Sequence, residues 1–189
     1  MSTNGSSVTG FEAAWDYLWF ALRHEESNWL GFISARTFNP IDQLVLRAED
    51  LIRPVNRGVE RIVVKSAADL FVAMDAVTTE RPSRIALVWL DVRMTETSPE
   101  PGVLASLVAR MNEHRAAILR NPVGVVVSTT LRLFPSIATP APDLWSVRSF
   151  AIDIDTEIPP DEPAVQTEVD LADNALRSLT SSGNWQAVT

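Results

Sequence analysis

The sequence predicts a three-layer α/β fold in which a mainly parallel, five-stranded sheet lies between two layers of helices. Short apolar runs alternate with longer segments whose apolar residues recur at three- and four-residue spacing. Two of the runs, 85–91 and 123–128, are apolar almost throughout, which is typical of parallel strands covered on both faces. Strands that alternate with crossover helices pair in parallel within one sheet.

The first three predicted elements occupy residues up to about Arg53. Thr9 and Glu12 form a capping box, and apolar residues at helical spacing follow them. Residues 29–34 form the first strand. Asn39 is the expected N-cap of the second helix, and Pro40 suits its first turn because proline needs no hydrogen-bond acceptor there.

The middle of the chain is predicted to alternate strand, helix and strand. A strand at 61–65 leads to a helix that Ser66 caps and that buries Phe71 among other apolar residues. The strand at 85–91 follows.

The last elements follow the strongest helical pattern in the chain. They are a helix at 102–120 that Asn121-Pro122 ends, a strand at 123–128, a short helix near 131–138, a turn at 140–142 and a strand at about 148–154. We expect residues 1–8 to precede the domain, 9–155 to form it, and 156–189 to be an acidic, proline-containing tail. Four tryptophans, Trp15, Trp19, Trp29 and Trp89, lie on predicted buried faces.

Asp91 closes the third strand, as an acidic residue does in P-loop nucleotidases, where it serves the magnesium ion. The pattern therefore resembles that of P-loop NTPases, and this resemblance implies a P-loop NTPase-like topology with the strand order 5-1-4-3-2 of active relatives. A P-loop also needs G-x-x-x-x-G-K-[ST] after the first strand, so that backbone N–H groups and a lysine hold the phosphates. Here Arg36 and Thr37 follow that strand, and the only lysine is Lys65. We therefore expect a catalytically degenerate domain that uses no cofactor.

Four residues occupy the degenerate nucleotide-site positions: Arg36, Thr37, Asp91 and Ser128. Asp91 is either a metal-binding acid or a structural acid paired with Arg93 or Arg132. The segment Ser128-Thr129-Thr130 leaves the fourth strand, where P-loop enzymes keep a polar residue that senses the γ-phosphate. Its hydroxyls could instead cap the helix that follows, and the sequence favours the cap. Arg36 and Arg132 both follow predicted strands and together could hold an anion.

Composition excludes several other classes of function. The chain has no cysteine and only two histidines, so disulfides, thiolate sites and the common zinc sites are not expected. His24 and His114 fall on predicted helices, and no G-x-S-x-G elbow supports a serine hydrolase. Neither a membrane-spanning run nor a signal peptide is visible, which favours the cytoplasm.

The net charge of −8 is concentrated near the carboxyl end, where residues 153–173 hold eight acids and no base. Such a surface repels phosphate backbones, so nucleic acid is not an expected partner. Trp185 stands alone among polar residues of the tail and is a candidate docking anchor.

The stretch 102–150 resembles a known family. The helix Leu107-Val108-Ala109-Arg110-Met111-Asn112-Glu113-His114-Arg115, the strand 123–128 and the segment Ala141-Pro142-Asp143-Leu144-Trp145-Ser146-Val147-Arg148-Ser149-Phe150 resemble inactive STAND domains. These are NTPase-like domains of bacterial conflict and signalling proteins that lack the phosphate-binding loop.

The resemblance implies an interaction platform that is encoded with proteases, ATPases or other effectors, and it carries over no catalytic residue. The expected function is a non-enzymatic adaptor whose partner is a protein, with Trp145, Arg148 and Trp185 as candidate partner-binding residues. Trp145 is also expected to pack against the sheet and to fix the start of the last strand. Two alternatives stay open: a sensor that binds nucleotide without hydrolysing it, and an enzyme with an unrecognised site.

Overall fold

The computed structural model describes residues 10–24, 28–92, 102–132 and 134–154, with the backbone alone described at His24 and Phe134. The strands in these ranges are β1 Leu30–Ala35, β2 Gly58–Val64, β3 Ile85–Val92, β4 Gly124–Thr129 and β5 Phe150–Ile154. The helices are α1 Phe11–His24, α2 Phe38–Ile52, α3 Asp69–Thr78, α4 Val103–Glu113, α5 Arg115–Ile118 and α6 Pro142–Ser146, with a 3₁₀ turn at Arg53–Val55 and a π-helical turn at Phe134–Ala138. The predicted segments 1–8 and 156–189 lie outside the described residues, as does Thr9 of the predicted capping box.

The five strands form one sheet of order β2-β3-β4-β1-β5, and every pairing is parallel. This confirms both the α/β fold class and the predicted order 5-1-4-3-2. The strands β1, β3 and β4 occupy the interior of the sheet and are buried on both faces, which explains why their sequences are apolar almost throughout.

Each face of the sheet has its own hydrophobic core. On one face α1 and α2 bury residues such as Leu18 and Leu44 against Trp89. On the other face α3, α4 and α6 pack on the sheet, with Leu107 and Leu144 in that core. The chain therefore forms the predicted three layers.

The starts of two helices differ from the sequence expectation. The helix α2 begins at Phe38 with Thr37 at the N-cap, so Asn39 and Pro40 lie within its first turn, where the missing N–H of proline costs no hydrogen bond. The helix α3 begins at Asp69 and not after Ser66. Asp69 itself closes the preceding turn, because its carboxylate accepts hydrogen bonds from the backbone N–H of Lys65 and from Ser66.

The predicted helix at 102–120 is broken at His114, whose backbone leaves the helical region at φ −100° and ψ 12°. Met111 and Ile118, seven residues apart, both stay buried, so the apolar spacing conceals the break. The helix predicted near 131–138 is the π-helical turn from Phe134. The expected turn at 140–142 leads directly into α6. In the first turn of α6, the backbone N–H of Leu144 donates a hydrogen bond of 2.8 Å to Oδ1 of Asn112.

Exposure corrects three side-chain predictions. Trp29 and Trp89 are buried, as predicted, but Trp15 and Trp19 of α1 are half-buried. Phe71 was expected in the core and is 73% exposed, with Arg110 of α4 lying 5.6 Å from its ring centre. The apolar pattern of α3 includes more residues than its buried face accommodates.

Candidate functional site

The strands β1 and β4 are neighbours whose continuations leave on opposite faces of the sheet. After β1 the chain enters α2 on one face, and after β4 it enters the π-helical turn and α6 on the other. In open α/β sheets, ligands bind in the crevice that opens at such a switch point, at the carboxyl ends of the strands. A cavity of about 250 Å³ lies there, lined by Ser34, Ala35, Arg36, Thr130, Arg132, Asp153 and Ile154. We call it the switch-point crevice.

Two of the residues singled out from the sequence, Arg36 and Arg132, line this one crevice, and both are exposed. The predicted convergence of these two arginines is therefore found. Asp153 also lines the crevice, and its carboxylate accepts a hydrogen bond from the Ser34 hydroxyl of the paired strand. The crevice is thus lined by two arginines, one carboxylate and the hydroxyl-bearing Thr130; arginines can hold an anion, whereas the Asp153 carboxylate opposes one.

Only Arg36 and Thr37 connect β1 to α2, because β1 ends at Ala35 and α2 begins at Phe38. Thr37 has extended backbone geometry, and its side chain makes no capping hydrogen bond to the helix. A phosphate-binding loop of the G-x-x-x-x-G-K-[ST] type spans roughly eight residues at this point. The connection is too short to wrap a phosphate group in backbone N–H donors.

Asp91 lies inside the protein, fully buried beneath α2, and it forms an ion pair with Arg61 of β2. One nitrogen of the Arg61 guanidinium, Nη2, donates to Oδ2 of Asp91 at 2.5 Å and also to Oδ1 of Asp42 on α2. Burial alone would lower the pKa of Arg61, but the hydrogen bonds and charges of Asp42 and Asp91 outweigh it and raise that pKa above its ordinary value.

Of the two alternatives left open for Asp91, the contact with Arg61 favours the structural acid, with an arginine that the sequence analysis did not name. Arg132 lines the switch-point crevice instead, and Arg93 lies outside the described residues. Arg61 and Asp42 were missed. One sequence signal could have identified Arg61. It is an arginine within an apolar strand, and the strand predicted beside it carries a buried acid.

Ser128 is fully buried beside Asp91 in the paired register of β3 and β4. Its hydroxyl accepts a hydrogen bond of 2.8 Å from the indole N–H of Trp89. Of the three hydroxyl residues 128–130 that were expected to cap the following helix, Ser128 does not do so, because no helix begins directly after β4 and its hydroxyl accepts the indole N–H. Thr129 takes the local turn role, since its hydroxyl oxygen accepts from the backbone N–H of Leu131.

Trp145 and Arg148 form a stack on the other face of the sheet. The indole ring lies 5.6 Å from the ring of Phe32 on β1, and the Arg148 guanidinium covers its outer side at 4.0 Å. Arg148 also donates to the Trp145 carbonyl, and partial burial lowers its pKa. The ring is partly buried, so it packs on the sheet as expected; a partner-binding role for this pair stays a prediction. Trp185 lies outside the described residues.

The described ranges contain no group of three or more histidine, cysteine, aspartate or glutamate residues that could hold a metal ion. His114 is exposed at the junction of α4 and α5. No helix in the described part of the chain has the length and apolar character needed to cross a membrane.

No protein-family model matches the chain, and a search of curated proteins also finds no match. Among solved structures, domain III of the Thermotoga maritima replication initiation protein DnaA is similar at 13% identity with a TM-score of 0.48, covering 90% of this chain and 70% of that one.

The Aeropyrum pernix ORC2 protein, solved as ADPNP and ADP complexes, is similar at 15% identity with a TM-score of 0.47, covering 77% of this chain and 46% of that one. Drosophila ORC bound to DNA is similar at 12% identity with a TM-score of 0.46, covering 78% of this chain and 29% of that one. The fold assignment rests on the strand order and the parallel pairing described above.

Proposed function

We propose that this protein is a non-enzymatic adaptor of a bacterial defence or signalling complex, in which an NTPase-like fold binds a protein partner and hydrolyses no nucleotide. The observation that carries the proposal is the two-residue connection between β1 and α2, Arg36–Thr37. Catalysis of phosphoryl transfer depends on positioning the phosphates and stabilising their charge, and this connection supplies neither a cradle nor a lysine.

The position of Asp91 supports the same proposal. A metal-binding acid must present its carboxylate to the ion, but Oδ2 of Asp91 accepts a hydrogen bond from Arg61 inside the core. The resemblance of the segment Ala141–Phe150 to inactive STAND domains supports the adaptor role and the bacterial setting. The partner is an effector, protease or ATPase encoded nearby.

The first experiment measures ATP turnover and ATP binding with magnesium, by a phosphate-release assay and by calorimetry. We expect neither turnover nor tight binding. The Asp91→Ala variant serves as the diagnostic comparison. Robust hydrolysis by the parent that this substitution abolishes would overturn the proposal.

The second experiment tests partner binding directly, by co-expression with the products of neighbouring genes and size-exclusion chromatography of the complex. The acidic tail is the expected contact, because its charge suits a basic groove on a partner. A chain truncated after Thr156 should keep the parent melting temperature and lose part of its salt-sensitive affinity. A large drop in melting temperature would contradict this role for the tail. Failure of the products of neighbouring genes to form any complex would contradict the adaptor proposal.

The switch-point crevice favours a second candidate, a sensor that binds a nucleotide or another small anion without hydrolysis. Its support is the pair Arg36 and Arg132 at the carboxyl ends of neighbouring strands. Calorimetry with ATP, ADP and cyclic nucleotides tests it, with Arg132→Gln as the site variant and Arg53→Gln, an exposed arginine outside the crevice, as the matched control. Saturable nucleotide binding by the parent that Arg132→Gln weakens and Arg53→Gln does not would favour the sensor. If the parent binds none of these nucleotides, the sensor hypothesis is excluded.

A further inference from the structure

The helix α1 carries a line of apolar residues outside the core. Tyr17 is 45% exposed and Phe20 is 56% exposed, and the half-buried Ala13 precedes them at the spacing i, i+4, i+7. This spacing places the three side chains in one line along a helix, as in the seam of a coiled coil. We call Ala13, Tyr17 and Phe20 the outer stripe of α1.

The outer stripe lies along the edge of the sheet. The Tyr17 ring is 6.2 Å from the ring of Phe150 on β5, which is the last strand of the sheet on this side. The side of α1 that packs on the sheet is a different one, on which Leu18 and Ala21 are buried. The core therefore leaves the aromatic residues of the stripe accessible to another helix.

Charged residues flank the stripe on one side, with an acid near the start of α1 and a base near its end. Asp16 and Arg23 are seven residues apart, which is about two helical turns, and both are exposed. Asp16 forms no ion pair within the described part of the chain, and the Arg23 guanidinium lies 5.3 Å from the centre of the Trp19 ring. Glu12, one turn before Asp16, is already paired with Arg47 of α2.

We infer that the outer stripe of α1 binds the outer stripe of a second copy of this chain, in an antiparallel pair about a two-fold axis. The axis makes the interface self-complementary, because each contact occurs twice. With Tyr17 opposite Phe20 of the second copy, Asp16 lies about 3 Å along the axis from the level of Arg23 of the second copy.

The charges select both the occupant and its direction. A parallel pair would place Asp16 beside Asp16 and Arg23 beside Arg23, whereas the antiparallel pair forms two ion pairs of opposite charge. A second copy therefore presents the complementary order of charges along the stripe. This inference goes beyond the proposed function, because it holds whether or not a partner or a nucleotide is found.

The area of the stripe sets the expected strength of the pair. An aromatic side chain buries roughly 150–250 Å², so the exposed halves of Tyr17 and Phe20 contribute about 100 Å² each. Two copies then bury about 400 Å² of aromatic surface, well below the roughly 1,600 Å² of a standard stable interface. We expect a weak, concentration-dependent dimer with a Kd on the order of 100 µM.

The first arm of the experiment is sedimentation equilibrium of the full chain at up to roughly 1 mM protein in about 0.15 M salt, where the Debye length is about 8 Å. Phe20→Ser should weaken the dimer roughly tenfold, as expected for a central aromatic residue. Phe71→Ser is the matched control, because Phe71 is an aromatic residue of α3 that is 73% exposed on the other face of the sheet. It should associate as the parent does.

The second arm reverses the charges. Asp16→Arg and Arg23→Asp should each weaken the dimer roughly tenfold, since each replaces two attractive pairs by two repulsive ones. An equimolar mixture of the two variants should recover the association of the parent, because both ion pairs form again with their signs exchanged. General repulsion between chains of net charge −8 predicts otherwise: Asp16→Arg, which is less acidic, would then associate better than the parent. Circular dichroism of each variant checks that these exposed substitutions keep the fold.

Three results would overturn the inference: a parent that stays monomeric at the highest concentration, a Phe20→Ser protein that associates as the parent does, or a mixture that associates no better than either charge variant alone. Each of these leaves the proposed function standing, because that proposal is tested by turnover and by partner binding.

Discussion

Replacing Trp145 with alanine tests whether its ring belongs to the core or to an interface. The ring stacks on Phe32 and lies beneath Arg148, and it is partly buried. An enclosed tryptophan buries roughly 150–250 Å², so a partly buried one loses about 100 Å² of contact, worth about 2.5 kcal/mol at about 25 cal/mol per Å². Loss of the stack with Phe32 adds about 0.5–1.5 kcal/mol.

The expected total, about 3–4 kcal/mol, lowers the melting temperature of a chain of this size by roughly 6–15 °C. Circular dichroism melts and urea unfolding measure it. Trp145→Phe, which keeps an aromatic ring on Phe32, should lose less than half as much. Arg148→Ala should lose least, because it removes only the half-buried guanidinium that covers the indole ring. A Trp145→Ala protein that melts with the parent would refute the packing argument, and combined with loss of a partner it would make Trp145 an interface residue.

Three further predictions concern single contacts. Asp69→Asn should lower the melting temperature at pH 7, because the hydrogen bonds from Lys65 and Ser66 lower the pKa of Asp69. The ionised carboxylate stabilises the fold above the ordinary pKa of 3.8, and this stabilisation is lost as the pH falls through the lower folded-state pKa. A melting-temperature difference between parent and variant that persists unchanged at pH 2 would contradict the prediction. Asn121→Ala should lower the free energy of unfolding in urea by about 1–3 kcal/mol, since the buried amide of Asn121 donates to the carbonyls of Val77 and Thr79 at the end of α3. An unchanged unfolding midpoint would show that water replaces the amide as the donor. Gly31→Ala should lower the free energy of unfolding by about 1–3 kcal/mol, because the added Cβ would lie 2.1 Å from the Phe150 ring. Gly58→Ala is the control, since the nearest atom to its added Cβ is 4.0 Å away. Equal melting temperatures of the two variants would disprove the clash.

The strands and their order were predictable because burial on both faces leaves a direct mark on sequence. Residues 85–91 and 123–128 are apolar except where Asp91 and Ser128 stand, and they form the interior strands β3 and β4. Helix boundaries were less accessible, since they depend on local hydrogen bonds. The spacing of Met111 and Ile118 fits one uninterrupted helix and also fits the broken one.

Part of the candidate site was predictable from the sequence and part was not. Strand ends placed Arg36 and Arg132 at one edge of the sheet, and the crevice brings them together. The contact between Arg61 and Asp91 depends on register, because Arg61 is paired with Trp89 and reaches two residues along β3. Register depends on how the hydrophobic faces of the paired strands align and on the geometry of their connection, so strand positions alone did not give it.

The short connection between β1 and α2 also limits how this chain could be altered. Building a phosphate loop here would require the insertion of roughly six residues between Ala35 and Phe38, in addition to any substitution. Because point mutations change side chains and leave the path length of the backbone unchanged, no set of substitutions in Arg36 and Thr37 can supply a loop of that length. A phosphate-binding loop at this point of the fold therefore needs an insertion and cannot be reached by substitution alone.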